Sequence, residues 1–188
     1  MAAIGGALTG GVLVSVMRPT GPSLDDDALP TAEFSIGALG GVVERIRRDG
    51  PLLLPDEGSA RLAVVLWDPS YVSVAGSADE RYGPAGEDHP VVDQATGVMV
   101  LALVSTHLGC RARFCDSSQW FEDPCHGARW NRWGEWTGGP APRGLDRYRS
   151  RVTEDGNLTV SLTEHVVGPA RENGVFDQPP QGPACVDG

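Results

Sequence analysis

Lysine is absent from this 188-residue chain; all fifteen basic residues are arginine. We read that as the codon bias of a GC-rich genome. Positive charge is also outnumbered: 25 Asp and Glu give a formal charge of −10 and a pI near 4.7. Phosphate binding needs a basic footprint, so this balance argues against nucleic acid and against docking on anionic lipid. There is no catalytic triad, no nucleotide loop, no paired-carboxylate site and no internal repeat. The chain is therefore not expected to be catalytic alone. Long apolar runs are scarce as well. The uncharged stretch Ala2–Met17 falls slightly short of the ~20 residues that a spanning helix needs. It also lacks the basic n-region and clear cleavage site of a secretory signal.

What is present points to a β-rich head on an N-terminal appendage. We expect residues 1–17 to be a helical membrane anchor or signal-anchor; a cleaved remnant or a Gly-rich arm is the alternative. Residues 18–30 read as a Pro/Asp-rich hinge, with the Asp25–Asp27 run solvated. Twenty-five glycines and fifteen prolines imply many turns and an all-β body. Phe34–Val43 reads as an opening strand and turn, followed by a brief helix or turn at Glu44–Arg48. Leu62–Trp67 reads as a buried strand, with Tyr71–Ala75 as its hairpin partner. Ala75–Pro90 reads as a surface loop. Val98–Val104, VMVLALV, is the strongest strand in the chain. Tyr148–Val152 and Leu158–Leu162 are expected to pair through the turn Glu154-Asp155-Gly156-Asn157. From Gly168 onward the chain is Pro/Gly-rich, an extended tail that stays poorly ordered unless tied down. Four cysteines, Cys110, Cys115, Cys125 and Cys185, are compatible with two disulfides or with a metal site.

Two segments carry the chemistry: Ser105-Thr106-His107-Leu108-Gly109-Cys110, directly after the best strand, and Asp123-Pro124-Cys125-His126-Gly127. Each is a turn bearing one His and one Cys. A third, Gly138-Gly139-Pro140-Ala141-Pro142-Arg143, follows. Over roughly Thr31–Val167 these loops resemble the Rieske iron–sulfur family, whose loops read C-T-H-L-G-C, C-P-C-H-G and G-P-A-P-R. With the anchor and acidic hinge, the layout is similar to the Rieske subunit of actinobacterial quinol–cytochrome c reductases. The resemblance implies an antiparallel β-sandwich over residues 31–167, a small inserted loop subdomain over 105–143, and a tail over 168–188.

In the family, each of the first two loops gives one Cys and one His to a [2Fe–2S] cluster, and a second Cys ties the loops by a disulfide. Carried over, the histidine ligands match His107 and His126, and the disulfide cysteines match Cys110 and Cys125. The two ligand cysteines fall on Ser105 and Asp123. An alcohol and a carboxylate are hard donors where the cluster needs soft thiolates. The Ser and Tyr that tune the cluster in the family fall on Ala128 and Trp130; Trp130 is expected to pack with Trp120, Trp133 and Trp136. The loop disulfide implies an oxidising compartment, so Cys115 and Cys185 are expected as a second bridge, with two free thiols as the alternative.

The resemblance therefore implies a cluster-free Rieske-like subunit of a membrane-associated respiratory redox complex. It would act as a structural or docking part beside cytochrome b/c-type subunits, anchored in the cell membrane with its head extracytoplasmic. Leu108, Gly139 and Pro140 would form the docking tip. Two alternatives stay open. One is electron transfer, through a mononuclear iron or zinc held by His107, His126 and Asp123 with Ser105, or through an atypically ligated [2Fe–2S] cluster. The other is a secreted binding module. His89 and His165 are expected to be solvated.

Overall fold

The computed structural model describes residues 33–54, 61–68 and 97–186. The expected anchor, hinge, Tyr71–Ala75 strand, Ala75–Pro90 loop and His89 lie outside the described residues. Among the described residues, no helix is long and apolar enough to cross a membrane.

The architecture is all-β and antiparallel, with one short helix. A six-stranded sheet runs β1 (Glu33–Ala38), β10 (Asn157–Val166), β9 (Arg147–Val152), β4 (Val98–Ala102), β3 (Leu62–Leu66) and β2 (Leu52–Leu54) in spatial order. A four-stranded sheet, β5 (Arg113–Cys115), β6 (Trp120–Glu122), β7 (Arg129–Trp130) and β8 (Trp136–Gly138), lies wholly within the inserted subdomain.

The unbroken apolar sequence of β4 follows from burial on both faces. Successive side chains of a strand point to opposite sides. Met99 and Leu101, with Ala63 and Val65 of β3, join Phe121, Trp130, Trp133 and Leu145 in one core. Val98 and Val100, with Leu62 and Val64, join Leu158, Val160 and the buried face of helix α1 (Leu39–Asp49) in the other. Every β4 residue is buried, so no polar alternation is possible there.

Two boundaries differ from the sequence reading. The opening strand ends at Ala38, and the brief helix or turn expected at Glu44–Arg48 is an eleven-residue helix that begins at Leu39, inside the stretch expected as strand and turn. Gly40 and Gly41 mask the helix in local propensity, but Val42, Val43 and Ile46 fall on one face and are buried. Gly50, at φ 87°, ends the helix, with its N–H on the Ile46 carbonyl at 2.9 Å. The second difference is the short strand β2, which pairs antiparallel with β3 through Leu52–Val64 and Leu54–Leu62. The pair β9–β10 forms with its turn closed by Thr153 N–H to Asn157 O at 2.9 Å. The segment after Gly168 packs on the subdomain and includes a single 3₁₀ turn, Arg171–Asn173.

Candidate functional site

The two chemistry-bearing loops share one main-chain frame. In the first, the Ser105 N–H donates to Cys110 O at 2.6 Å and the Ser105 carbonyl accepts from Gly109 N–H at 2.9 Å. In the second, the Asp123 N–H donates to Ala128 O at 2.8 Å and the Asp123 carbonyl accepts from Gly127 N–H at 2.9 Å. Each loop thus closes from its first residue to the fourth and fifth residues beyond. Both fourth positions are glycines at positive φ, 80° for Gly109 and 72° for Gly127, a region that other residues enter at a cost. Each first residue also accepts a backbone N–H with its side chain: His107 N–H to Ser105 Oγ at 3.3 Å, and Cys125 N–H to Asp123 Oδ1 at 2.8 Å.

The two first residues meet. Both are buried, and the Ser105 hydroxyl donates to Asp123 Oδ2 at 2.7 Å. Burial alone pushes the Asp123 carboxyl up. The donors from Ser105, Cys125 and His126 outweigh it and hold the group below the ordinary aspartate range. Beside this pair, Cys110 and Cys125 form a disulfide with a Cα–Cα distance of 6.4 Å.

His107 and His126 lie edge to face with ring centroids 4.8 Å apart. His126 Nδ1 is 3.5 Å from Asp123 Oδ2. His107 Nδ1 is buried with no hydrogen-bond partner. Ligand-type atoms of Cys110, Asp123, Cys125 and His126 fall within 4.8 Å of one another, but both sulfurs are spent in the disulfide and His107 is not in that group.

The third loop seats against the second. A Cβ on Gly139 (φ 77°) would stand 2.4 Å from Gly127 O and 2.6 Å from the Ala128 Cα. Thr106 Oγ1 and Trp130 Nε1 both donate to Arg143 O, at 2.8 and 3.0 Å. Trp130 is buried and turned to this carbonyl, and Ala128 is buried without a polar atom. Trp133 shares the core with Trp130, Trp136 packs against it, and Trp120 donates to Gln178 O at 3.2 Å. Leu108 is 68% exposed, and Gly139 and Pro140 are exposed. His165 is exposed on β10.

Cys115 and Cys185 form a second disulfide across a separation of 70 residues. Two buried carboxylates beside the tail were not singled out from the sequence. Glu122 accepts from Cys185 and Val186 N–H at 2.8 and 2.9 Å, and Glu135 accepts from Val175 and Phe176 N–H at 2.8 and 2.9 Å. The available signal was a lone Glu inside each aromatic run, Trp120-Phe121-Glu122 and Trp133-Gly134-Glu135-Trp136.

No family model matches the chain. Among curated proteins, it is 35% identical over 65 residues to the cytochrome b6-f complex iron-sulfur subunit of Chlorobaculum thiosulfatiphilum, covering 35% of this chain and 36% of that one. It is 35% identical over 91 residues to the corresponding subunit of Synechococcus elongatus, covering 48% and 42%. The chain thus spans less than half the length of these relatives. Among solved structures it resembles a cyanobacterial plasma membrane Rieske protein from Synechocystis, at 20% identity and TM-score 0.40 over 68% of this chain and 97% of that one. It also resembles the soluble domain of Rieske protein II from Sulfolobus acidocaldarius, at 18% identity and TM-score 0.45 over 82% and 87%.

Proposed function

We propose that this chain, which over its matched segment resembles cytochrome b6-f complex iron-sulfur subunits, is a Rieske-like docking subunit of a membrane-associated redox complex that carries no ordinary [2Fe–2S] cluster. The observation that carries this reading is the hydrogen bond from Ser105 to Asp123. Those are the two positions where the family resemblance requires thiolates. Here they carry hard oxygens in contact with one another, and the carboxylate is further engaged by the Cys125 N–H. An iron without soft anionic donors is poorly held, so the residues present do not fit the cluster. The frame and disulfide that shape the tip are kept. Leu108, Gly139 and Pro140 present its exposed surface, which suits contact with cytochrome b/c-type subunits. The relatives' names support a redox complex as the setting. The apolar stretch Ala2–Met17 supports a membrane anchor with the head extracytoplasmic, where two disulfides persist.

Iron and acid-labile sulfide analysis of the purified full-length chain tests the central claim. Neither should be present, and reduction should give no Rieske-type EPR signal. Two irons and two sulfides per chain would overturn the reading. Partition of the full-length protein into the membrane fraction tests the anchor; wholly soluble protein removes it.

A second reading is favoured by one observation, the buried His107 Nδ1 without a hydrogen-bond partner. An orphaned buried nitrogen is costly, and a mononuclear iron or zinc shared with His126 would satisfy it. Stoichiometric metal that disappears in His107→Ala supports this reading; metal-free protein sinks it.

A further inference from the structure

The tail segment Gly168–Val186 crosses the inserted subdomain, and two of its fastenings are carboxylate clasps. The inner clasp is Glu135, 1% exposed. Its two oxygens accept the successive N–H groups of Val175 and Phe176 and, at 3.1 Å, Asn131 Nδ2. The Phe176 ring stacks on Trp133 with centroids 4.3 Å apart. The outer clasp is Glu122, which accepts the successive N–H groups of Cys185 and Val186 beside the Cys115–Cys185 disulfide. A few residues before the inner clasp, Arg171 reaches the third loop. Its Nε donates to Ala141 O at 2.7 Å, an η nitrogen lies 3.4 Å from Gly139 O, and its guanidinium sits 4.4 Å above the Trp136 ring. Trp136 Nε1 in turn donates to Gly139 O at 3.1 Å.

We infer that the tail is a strap whose inner, Glu135-held part positions the loop Gly138–Arg143, with Arg171 as the positioning residue, and whose outer disulfide secures only the end. The geometry separates the two tasks. The carbonyls of Gly139 and Ala141 accept from Arg171, and Gly139 is the residue that seats against Gly127 and Ala128. Between Arg171 and Cys185 stand the Glu135 clasp and Gln178, whose Oε1 accepts from Arg132 N–H at 2.8 Å. Loosening near Cys185 therefore meets these anchors, and also the Gln181 N–H bond to Ser118 O at 3.0 Å and the Ser117 hydroxyl bond to Pro183 O at 2.7 Å, before it reaches the loop. Two-electron, two-proton reduction of Cys115–Cys185 by a dithiol, which becomes oxidised to its own disulfide, loosens the residues around Cys185 and leaves the loop in place. The functional weight of the strap rests on the docking role proposed for Gly139 and Pro140.

The test is hydrogen exchange of the tryptophan indole N–H groups in the full-length oxidised protein, read by NMR. The reporters are Trp136, bonded to Gly139 O, and Trp130, bonded to Arg143 O at the other end of the same loop. Arg171→Ala should speed exchange at both by about tenfold, and Arg171→Lys should recover part of the loss at Trp136. Glu135→Gln should reproduce the effect. Cys185→Ser should leave both indoles unchanged while the amides at positions 185 and 186 exchange faster. Unchanged exchange in Arg171→Ala overturns the inference, and so does a Cys185→Ser effect on the indoles as large as that of Arg171→Ala. Because the readout involves neither metal nor partner, it stands or falls separately from the docking role.

Discussion

Asp123 combines complete side-chain burial with an acidity greater than that of a free aspartate. It is ionised at neutral pH because its oxygens face donors rather than carbon. Asp123→Asn keeps the shape but weakens the charge-assisted bonds, and should lower stability by about 2 kcal/mol at pH 7. The pH dependence has a definite sign. A carboxyl whose folded pKa lies below the unfolded value of about 3.9 contributes in full above that value and loses its contribution as pH falls through the folded pKa. The gap between wild type and Asp123→Asn in urea unfolding should thus be widest at neutral pH and narrow in acid. A gap that grows on acidification contradicts the ionised assignment. Placing thiols at both positions in Ser105→Cys/Asp123→Cys tests the same site from the other side. If the loop frame is intact, iron and sulfide should appear in the double variant and not in either single one.

At the scale of elements, the close seating of the third loop on the second makes Gly139 far less replaceable than its exposure suggests. Gly139→Ala should cost about 3 kcal/mol, combining the positive-φ penalty with a clash against backbone that cannot swing aside. Gly156, also at positive φ but with nothing near its absent Cβ, is the control; Gly156→Ala should cost about 1 kcal/mol. Denaturant midpoints measure both, and equal losses would mean that the loop contact carries no weight. What was legible in sequence followed from local pattern. The two-faced burial of β4 shows as an apolar run, and the β9–β10 pair shows as two strands around a Gly-Asn turn. Helix α1 was legible only as a brief helix or turn at Glu44–Arg48; its first half was hidden because two glycines lower the local propensity, and packing reveals its apolar face. The Cys115–Cys185 bridge that fastens the tail was expected, but its carboxylate clasps were hidden for a different reason. The tail's own sequence is Pro/Gly-rich, and the groups that hold it, Glu122 and Glu135, lie some 40 to 60 residues earlier in the chain. The meeting of Ser105 with Asp123 is likewise a contact across 18 residues. The family pattern marked both positions but could not show that they close on one another.

For the whole molecule, two disulfides hold a subdomain built of four short strands. Loop-closure entropy assigns about 3 kcal/mol to Cys110–Cys125, separated by 15 residues, and about 4 kcal/mol to Cys115–Cys185, separated by 70. Thermal unfolding with and without a dithiol should show a large drop in midpoint on reduction, with Cys110→Ser and Cys185→Ser each reproducing part of that drop without any dithiol. An unchanged midpoint would mean that the carboxylate clasps and the core alone hold the subdomain. The twin frames of the two loops have one more consequence. Main-chain bonds and the glycines at the fourth positions hold each loop, and the Ser105 and Asp123 side chains add bonds of their own, so the shape is set without a thiol at either first position. Pattern searches keyed to four metal-binding residues will pass over chains that carry hard oxygens there. A search keyed to the glycine spacing, the two histidines and the paired tie cysteines would gather them.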